Sequence, residues 1–286
     1  MMGNAFWSHT IWFILLGLTT IIELIVIFSK VTNRKPVFAV YLTISGMAFC
    51  FEMVVLSYLK AYTYYPMLLP HSPPDDSIAG NIFSQFSVTA TALLIAVLKL
   101  KYYWYFIFAL LYGAIEELFL ALGVYKQNWY QTWMTVVFLL ILFWVTKHVY
   151  RITFTRLNGF LRYVFIFLGL LTLHQHTIVW IFRIIGIQRL SEKVLSDTDR
   201  SLVLLSSSYM LLLGVTIMVI YFTGIRWKWK VAVILLLYFA HMLAMKFDLI
   251  IYKAGWFWFS TSISIWGMYL YTYILDKLYE SRVEER

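Results

Sequence analysis

The sequence predicts an all-α fold, a polytopic transmembrane helix bundle of about nine spans with its N-terminus outside and its C-terminus inside. Three observations predict it. The 286 residues are 62% hydrophobic and 20% aromatic but only 13% charged, whereas a soluble domain is about 45–50% apolar and about 25% charged. The apolar residues arrive in long runs, and a helix needs roughly 20 of them to cross about 30 Å of hydrocarbon. Lysine and arginine concentrate on alternate breaks between the runs, which is the positive-inside bias.

The spans are read near residues 5–29, 37–59, 81–98, 102–124, 130–149, 160–186, 201–223, 229–251 and 256–275. No Lys or Arg precedes the first run in MMGNAFWSHT. A cleavable signal peptide wants a positive n-region, so this run reads as a permanent span that exports a short N-terminus. The second holds Cys50, the single cysteine, which reads as a packing residue and allows no intrachain disulfide. The break at 60–80 holds Pro66, Pro70, Pro73 and Pro74 and reads as extended chain. Its His71, Asp75 and Asp76 match no metal-ligand spacing and read as a solvated loop. The third span is then the shortest. The fourth opens on Tyr102-Tyr103-Trp104, Trp129-Tyr130 stands at the start of the fifth, Trp227 precedes the eighth, and the ninth opens on Trp256. Such rings form the aromatic belt at the membrane–water interface. In the seventh span, Ser206-Ser207-Ser208 reads as small residues for close helix packing.

The net charge of +9 follows the same map. The inner breaks carry Lys30, Arg34 and Lys35; Lys99 and Lys101; Lys147, Arg151, Arg156 and Arg162; and Arg226, Lys228 and Lys230. The tail adds Lys277, Arg282 and Arg286. These charges set topology and meet anionic lipid headgroups at the inner face; they exclude a nucleic-acid partner. No HExxH, GxSxG, P-loop, GxGxxG or CxxC pattern occurs, so no cofactor is expected, and no metal.

Ionisable groups inside spans are costly and often mark function. The candidate buried polar site contains Glu52, Glu116, Glu117 and Asp248 as an acidic, outward-facing wall. His174, His176 and His241 supply hydrogen-bonding or proton-accepting groups at its floor, and Arg183 is a pairing cation. Glu117 and Asp248 lead this set. Glu116 and Glu117 are neighbours about 100° apart on a helix and cannot both face one cavity. His241 and Asp248, seven residues apart, are expected to share a helix face. Glu23 lies instead in the inner half of the first span.

Two outer turns look alike: Tyr125-Lys126-Gln127-Asn128-Trp129-Tyr130 and Tyr252-Lys253-Ala254-Gly255-Trp256-Phe257. They suggest a weak internal repeat between 102–149 and 229–275, and repeats are common in membrane folds with a central site.

The segment Ile115-Glu116-Glu117-Leu118-Phe119, with Leu122-Gly123-Val124-Tyr125 and Trp129, resembles a pattern in small multi-pass membrane proteins of spore-forming Gram-positive bacteria. The stretch Lys253-Ala254-Gly255-Trp256 has the same flavour. This resemblance implies a bacterial cell-membrane protein and carries no activity. A fainter likeness is to the membrane-embedded lycopene cyclases. That family has a Glu-Glu pair in one span, matched by Glu116-Glu117, and an acid before a Gly–Trp turn, matched by Asp248 with Gly255-Trp256. The family's proline before the acids and its Pro-Trp before the aspartate are absent here, and the two elements are arranged differently.

Three functions are compatible with these residues. The first is a transporter-like or sensory plasma-membrane protein whose acidic site binds a cation or small solute. The second is a cofactor-free intramembrane enzyme acting on an isoprenoid or lipid ligand, since carboxyl groups desolvated among Phe and Leu suit general acid and base roles. The third is a structural subunit of a membrane complex.

Overall fold

The structure is a computed structural model describing residues 6–280. The tail charges Arg282 and Arg286 and the first five residues lie outside that range. Nine helices occur among the described residues: α1 (Phe6–Lys30), α2 (Arg34–Tyr58), α3 (Pro73–Val97), α4 (Tyr102–Ala121), α5 (Thr132–Thr155), α6 (Gly159–Ile184), α7 (Thr198–Phe222), α8 (Trp227–Lys246) and α9 (Phe257–Glu280). Among the described residues, eight are long and apolar enough to cross a membrane. The exception is α9, where Ser260, Thr261, Ser262, Ser264 and Thr272 dilute the apolar run. Short strands β1 (Tyr62–Tyr64), β2 (Tyr125–Gln127), β3 (Gln188–Leu190) and β4 (Ile250–Tyr252) form two antiparallel ribbons, β1–β2 and β3–β4.

Long stretches of helix surface are apolar and exposed, among them Ile14, Leu18, Ile21, Ile22 and Ile25 on α1 and Leu235, Leu236 and Phe239 on α8. Soluble monomers rarely expose contiguous apolar patches of this extent, while a lipid-facing helix requires them. The chain is a helical multi-pass membrane protein.

It divides into two compact units, Met1–Leu157 and Asn158–Arg286. In the first, Phe13 and Leu16 of α1 pack with Val55 and Leu56 of α2, Phe119 of α4 and the tyrosines of the ribbon. A second cluster joins Ala92 and Ile95 of α3, Tyr105 and Ala109 of α4, and Leu139 and Phe143 of α5. In the second unit, Gly169 lets the Leu275 side chain come within 2.9 Å of where a Cβ would stand, so α6 and α9 pack closely. Their basic end is pinned by Arg162, whose guanidinium donates to Asp276 at 2.5 Å and lies 3.2 Å from Glu280. Tyr221 of α7 donates to the other Asp276 oxygen at 3.1 Å. Read from sequence as a topological charge alone, Arg162 also ties α6 to α9, and Asp276 joins both to α7.

The third helix differs from expectation. It begins at Pro73, eight residues before 81, and is 25 residues long rather than the shortest. Proline is excluded from helix interiors but fits the first turn, where its missing N–H has no intrahelical role. Asp75 and Asp76 are buried rather than solvated. Asp76 accepts the backbone N–H groups of Met67, Leu68 and Leu69 at 3.0, 2.7 and 2.7 Å, and Ser72 donates to Asp75 at 2.5 Å. Two acids thereby clasp the loop onto the start of α3.

All four strands are entered the same way. The residue two positions before each strand is left-handed: Lys60, Gly123, Gly186 and Asp248, with φ of 51°, 69°, 71° and 53°. Three of these helix ends close with a backbone N–H reaching back five residues, Val124 to Phe119, Ile187 to Phe182 and Leu249 to Ala244, as a Schellman motif does. Both units run helix, strand, helix, helix, strand, helix, over 34–155 and 159–280. Each has a π-helical stretch in its leading helix, at Met53–Tyr58 and at Gln175–Val179.

Candidate functional site

The site in the first unit is built by the β1–β2 ribbon over the ends of α2 and α4. The register pairs Tyr62 with Gln127, Thr63 with Lys126 and Tyr64 with Tyr125. Side chains alternate along a strand, so Tyr62, Tyr64, Tyr125 and Gln127 share one face. The turn after β2 adds Tyr130, and Trp129 and Asn128 fix that turn by donating to the carbonyls of Leu59 and Lys60 at 2.8 and 2.7 Å. The rings form a cage: Tyr62 lies 5.0 Å from Tyr130 and 5.3 Å from Tyr125, and Tyr64 lies 5.0 Å from Tyr125. Burial, then the neighbouring Glu52 carboxyl, holds the Tyr62 phenol well above its usual range, so this ring remains a neutral hydrogen-bond donor.

Beneath the cage is a cavity of about 290 Å³. Its walls are mostly apolar, including Leu16, Val88, Phe119, Phe138 and Leu142. Two carboxyl groups enter it, Glu52 from α2 and Glu116 from α4. Among the described residues no Lys, Arg or His lines it. Tyr62 donates its phenol proton to Glu52 Oε2. Gln127 Nε2 donates to Glu116 Oε1 at 2.7 Å. Gln85 of α3 is 2% exposed and donates to the Ser45 carbonyl at 2.7 Å, while its Oε1 has no hydrogen-bond partner among the described residues. Glu52 immediately precedes the π-helical turn of α2, a distortion that often marks functional sites.

The other sequence-derived candidates fall elsewhere. Glu117 is exposed and accepts the Thr132 hydroxyl; the 100° offset on the helix separates it from Glu116. Asp248 belongs to the second unit and is exposed. Helix α8 ends at Lys246, so Asp248 shares no helix face with His241 and serves as the left-handed turn residue before β4. Asp tolerates that conformation better than most residues.

In the second unit the histidines gather around Tyr209. His174 is fully buried; its Nε2 donates to the Ser264 carbonyl at 3.2 Å, and its Nδ1 has no hydrogen-bond partner among the described residues. His241 Nδ1 donates to the Leu237 carbonyl at 2.8 Å, and its Nε2 lies 3.4 Å from the Tyr209 hydroxyl. The Tyr209 ring sits 6.1 Å from His174 and 5.5 Å from His241. His176 is spent on the Thr172 carbonyl at 2.7 Å, and Arg183 faces Glu192 at 3.5 Å. Glu52 and Glu116 thus meet at the cavity of the first unit, and His174 and His241 meet around Tyr209 in the second. Among the described residues no group of three or more His, Cys, Asp or Glu is placed to hold a metal ion.

The sequence reading missed the tyrosine cage and Gln127, and placed Tyr130 in the aromatic belt. The signal was present as the alternation Tyr62-Thr63-Tyr64, a strand pattern inside a proline-rich loop. Comparison with protein-family models, with curated proteins and with solved structures finds no match to this chain.

Proposed function

We propose that the first unit is a cofactor-free intramembrane enzyme site that takes an isoprenoid or similarly long apolar lipid and moves protons on it with Glu52 and Glu116. One observation carries this reading: two carboxyl groups, with no cation among the described residues lining the space beside them, enter an apolar cavity roofed by four tyrosine rings. An uncompensated carboxyl in such surroundings suits holding a proton rather than a charge. A carboxylic O–H can protonate a carbon–carbon double bond, breaking O–H and forming C–H. The faces of Tyr62, Tyr64, Tyr125 and Tyr130 favour the cation that results. The second carboxyl, as carboxylate, removes a proton from a neighbouring carbon, so one proton enters and one leaves. The faint likeness to lycopene cyclases at Glu116-Glu117 points to the same class of ligand.

The transporter-like reading leaned on Glu117 and Asp248, and both side chains are exposed. The shared order of elements supports a duplicated unit, extending the repeat suggested for 102–149 and 229–275. Strand positions make Gln127 the counterpart of Tyr252, since these residues end β2 and β4. The Tyr-Lys-x-x-Trp likeness is thus two residues out of step with the strands. In this register Glu116 corresponds to His241, which leaves the acid chemistry with the first unit. Placement in a bacterial cell membrane, N-out and C-in, sets the ribbon and cage at the outer end of the spans.

The test is lipid profiling of cells with and without the gene. The expected result is one isoprenoid or lipid replaced by an isomer of unchanged mass and altered retention time, because the protons balance. An unchanged profile contradicts an enzyme.

A further inference from the structure

A second polar feature of the first unit lies outside the cage. Glu23 of α1 sits seven residues before Lys30, on the side of the cavity away from the ribbon. Thr91 of α3 donates to its Oε1 at 2.6 Å. The Thr91 hydroxyl lies 2.8 Å from the Tyr112 phenol, which also meets Ser87 at 2.8 Å. Tyr112 lines the cavity, one helical turn, or about 6 Å, from Glu116 along α4. Thr91 and Ser87 are each 1% exposed. A continuous chain of hydroxyls thus links the cavity wall to a carboxyl nearer the basic end of the helices.

A helix clamp needs no carboxylate here, because a glutamine would accept the same Thr91 hydroxyl at no cost in buried charge. Glu23 instead leaves Oε2 buried with no hydrogen-bond partner and makes no ion pair among the described residues. Carboxyl groups joined by hydroxyls are how protons cross apolar protein interiors.

We infer that Glu23, Thr91 and Tyr112 form a proton path that exchanges protons between the cavity and the basic end of the first unit. It rests on the reading of Glu52 and Glu116 as proton carriers. In one passage the cavity group gives its proton to the Tyr112 oxygen, Tyr112 gives its own to Thr91, and Thr91 gives its own to Glu23. Three O–H bonds break and three form. Glu23 becomes neutral, and the cavity group loses one unit of positive charge. After a turnover the two cavity carboxyls have exchanged protonation states, so one passage outward and one passage back restore both.

Infrared spectroscopy of the detergent-purified full chain after transfer into D₂O tests this. The C=O bands of the cavity carboxyls are assigned with Glu52→Gln and Glu116→Gln, and their deuteration rate is followed. Thr91→Val and Tyr112→Phe are each expected to slow it by about 10²-fold, Glu23→Gln to slow it comparably, and Thr91→Ser to keep it fast. Wild-type exchange in both Thr91→Val and Tyr112→Phe overturns the path, as does the absence of any protonated carboxyl band. The outcome is separate from the lipid profile. Slowed exchange with no lipid converted leaves the path standing and removes the enzyme reading; conversion with unslowed exchange does the reverse.

Discussion

Replacing Glu116 by glutamine is expected to lower conversion of the cavity's lipid by about 10²–10⁴-fold, the usual contribution of a positioned acid or base. The amide retains shape and still offers an oxygen to Gln127 Nε2, now 2.7 Å from Glu116 Oε1, so the ribbon has no reason to move. What is lost is the exchangeable proton. Glu52→Gln is expected to behave likewise, because its partner Tyr62 donates to an oxygen that glutamine also has. Glu117→Gln is the control. Its side chain is exposed and bonded to Thr132 rather than to the cavity, so full activity is expected. The check is the amount of isomer formed per unit of membrane-inserted protein. Wild-type conversion by Glu116→Gln would show that this carboxyl carries no proton.

The largest structural effect is expected at Gly80 in the first third of α3. A Cβ there would stand 2.6 Å from Tyr64 Cβ and 3.0 Å from the Phe13 ring. The Tyr64 Cβ cannot swing away, since it is attached to a strand held by the β2 ladder and by its own N–H to Ser77 Oγ at 3.1 Å. Gly80→Ala must therefore displace the ribbon, and overpacking of this kind costs about 1–3 kcal/mol. Gly17→Ala is a fair comparison: its new Cβ meets the Phe83 ring at 2.9 Å, and a ring edge can rotate aside. Thermal unfolding in detergent should show the larger fall for Gly80→Ala, together with loss of conversion as the tyrosine cage opens. Equal stability of the two variants would mean the ribbon is not fixed against α3.

The bundle was legible because membrane helices are written locally, as uninterrupted apolar runs. The start of α3 was not, because proline was weighed as a breaker when Pro73 and Pro74 occupy the first turn, the one place a helix accepts it. Glu52 and Glu116 stood out as buried acids, but nothing local separates Glu116 from Glu117; only the positions of α2, α3 and α5 decide which faces the cavity. The cage was hidden for a longer-range reason. Tyr62 and Tyr125 meet through a strand pairing that joins residues 61 to 65 positions apart, and three-residue strands leave almost no periodicity to read. Asp248 misled because a seven-residue spacing implies a shared face only while the helix continues, and α8 stops two residues earlier.

The most direct measurement is native mass spectrometry of the full chain released from mild detergent, comparing wild type with Ala48→Trp. Ala48 lines the cavity, and an indole there fills the space an isoprenoid would take. The wild-type protein is expected to carry an apolar isoprenoid or lipid of defined mass, Glu52→Gln to retain it, and Ala48→Trp to lose it. A wild type free of any such ligand, or an Ala48→Trp protein that holds it undiminished, would contradict a lipid site in this cavity.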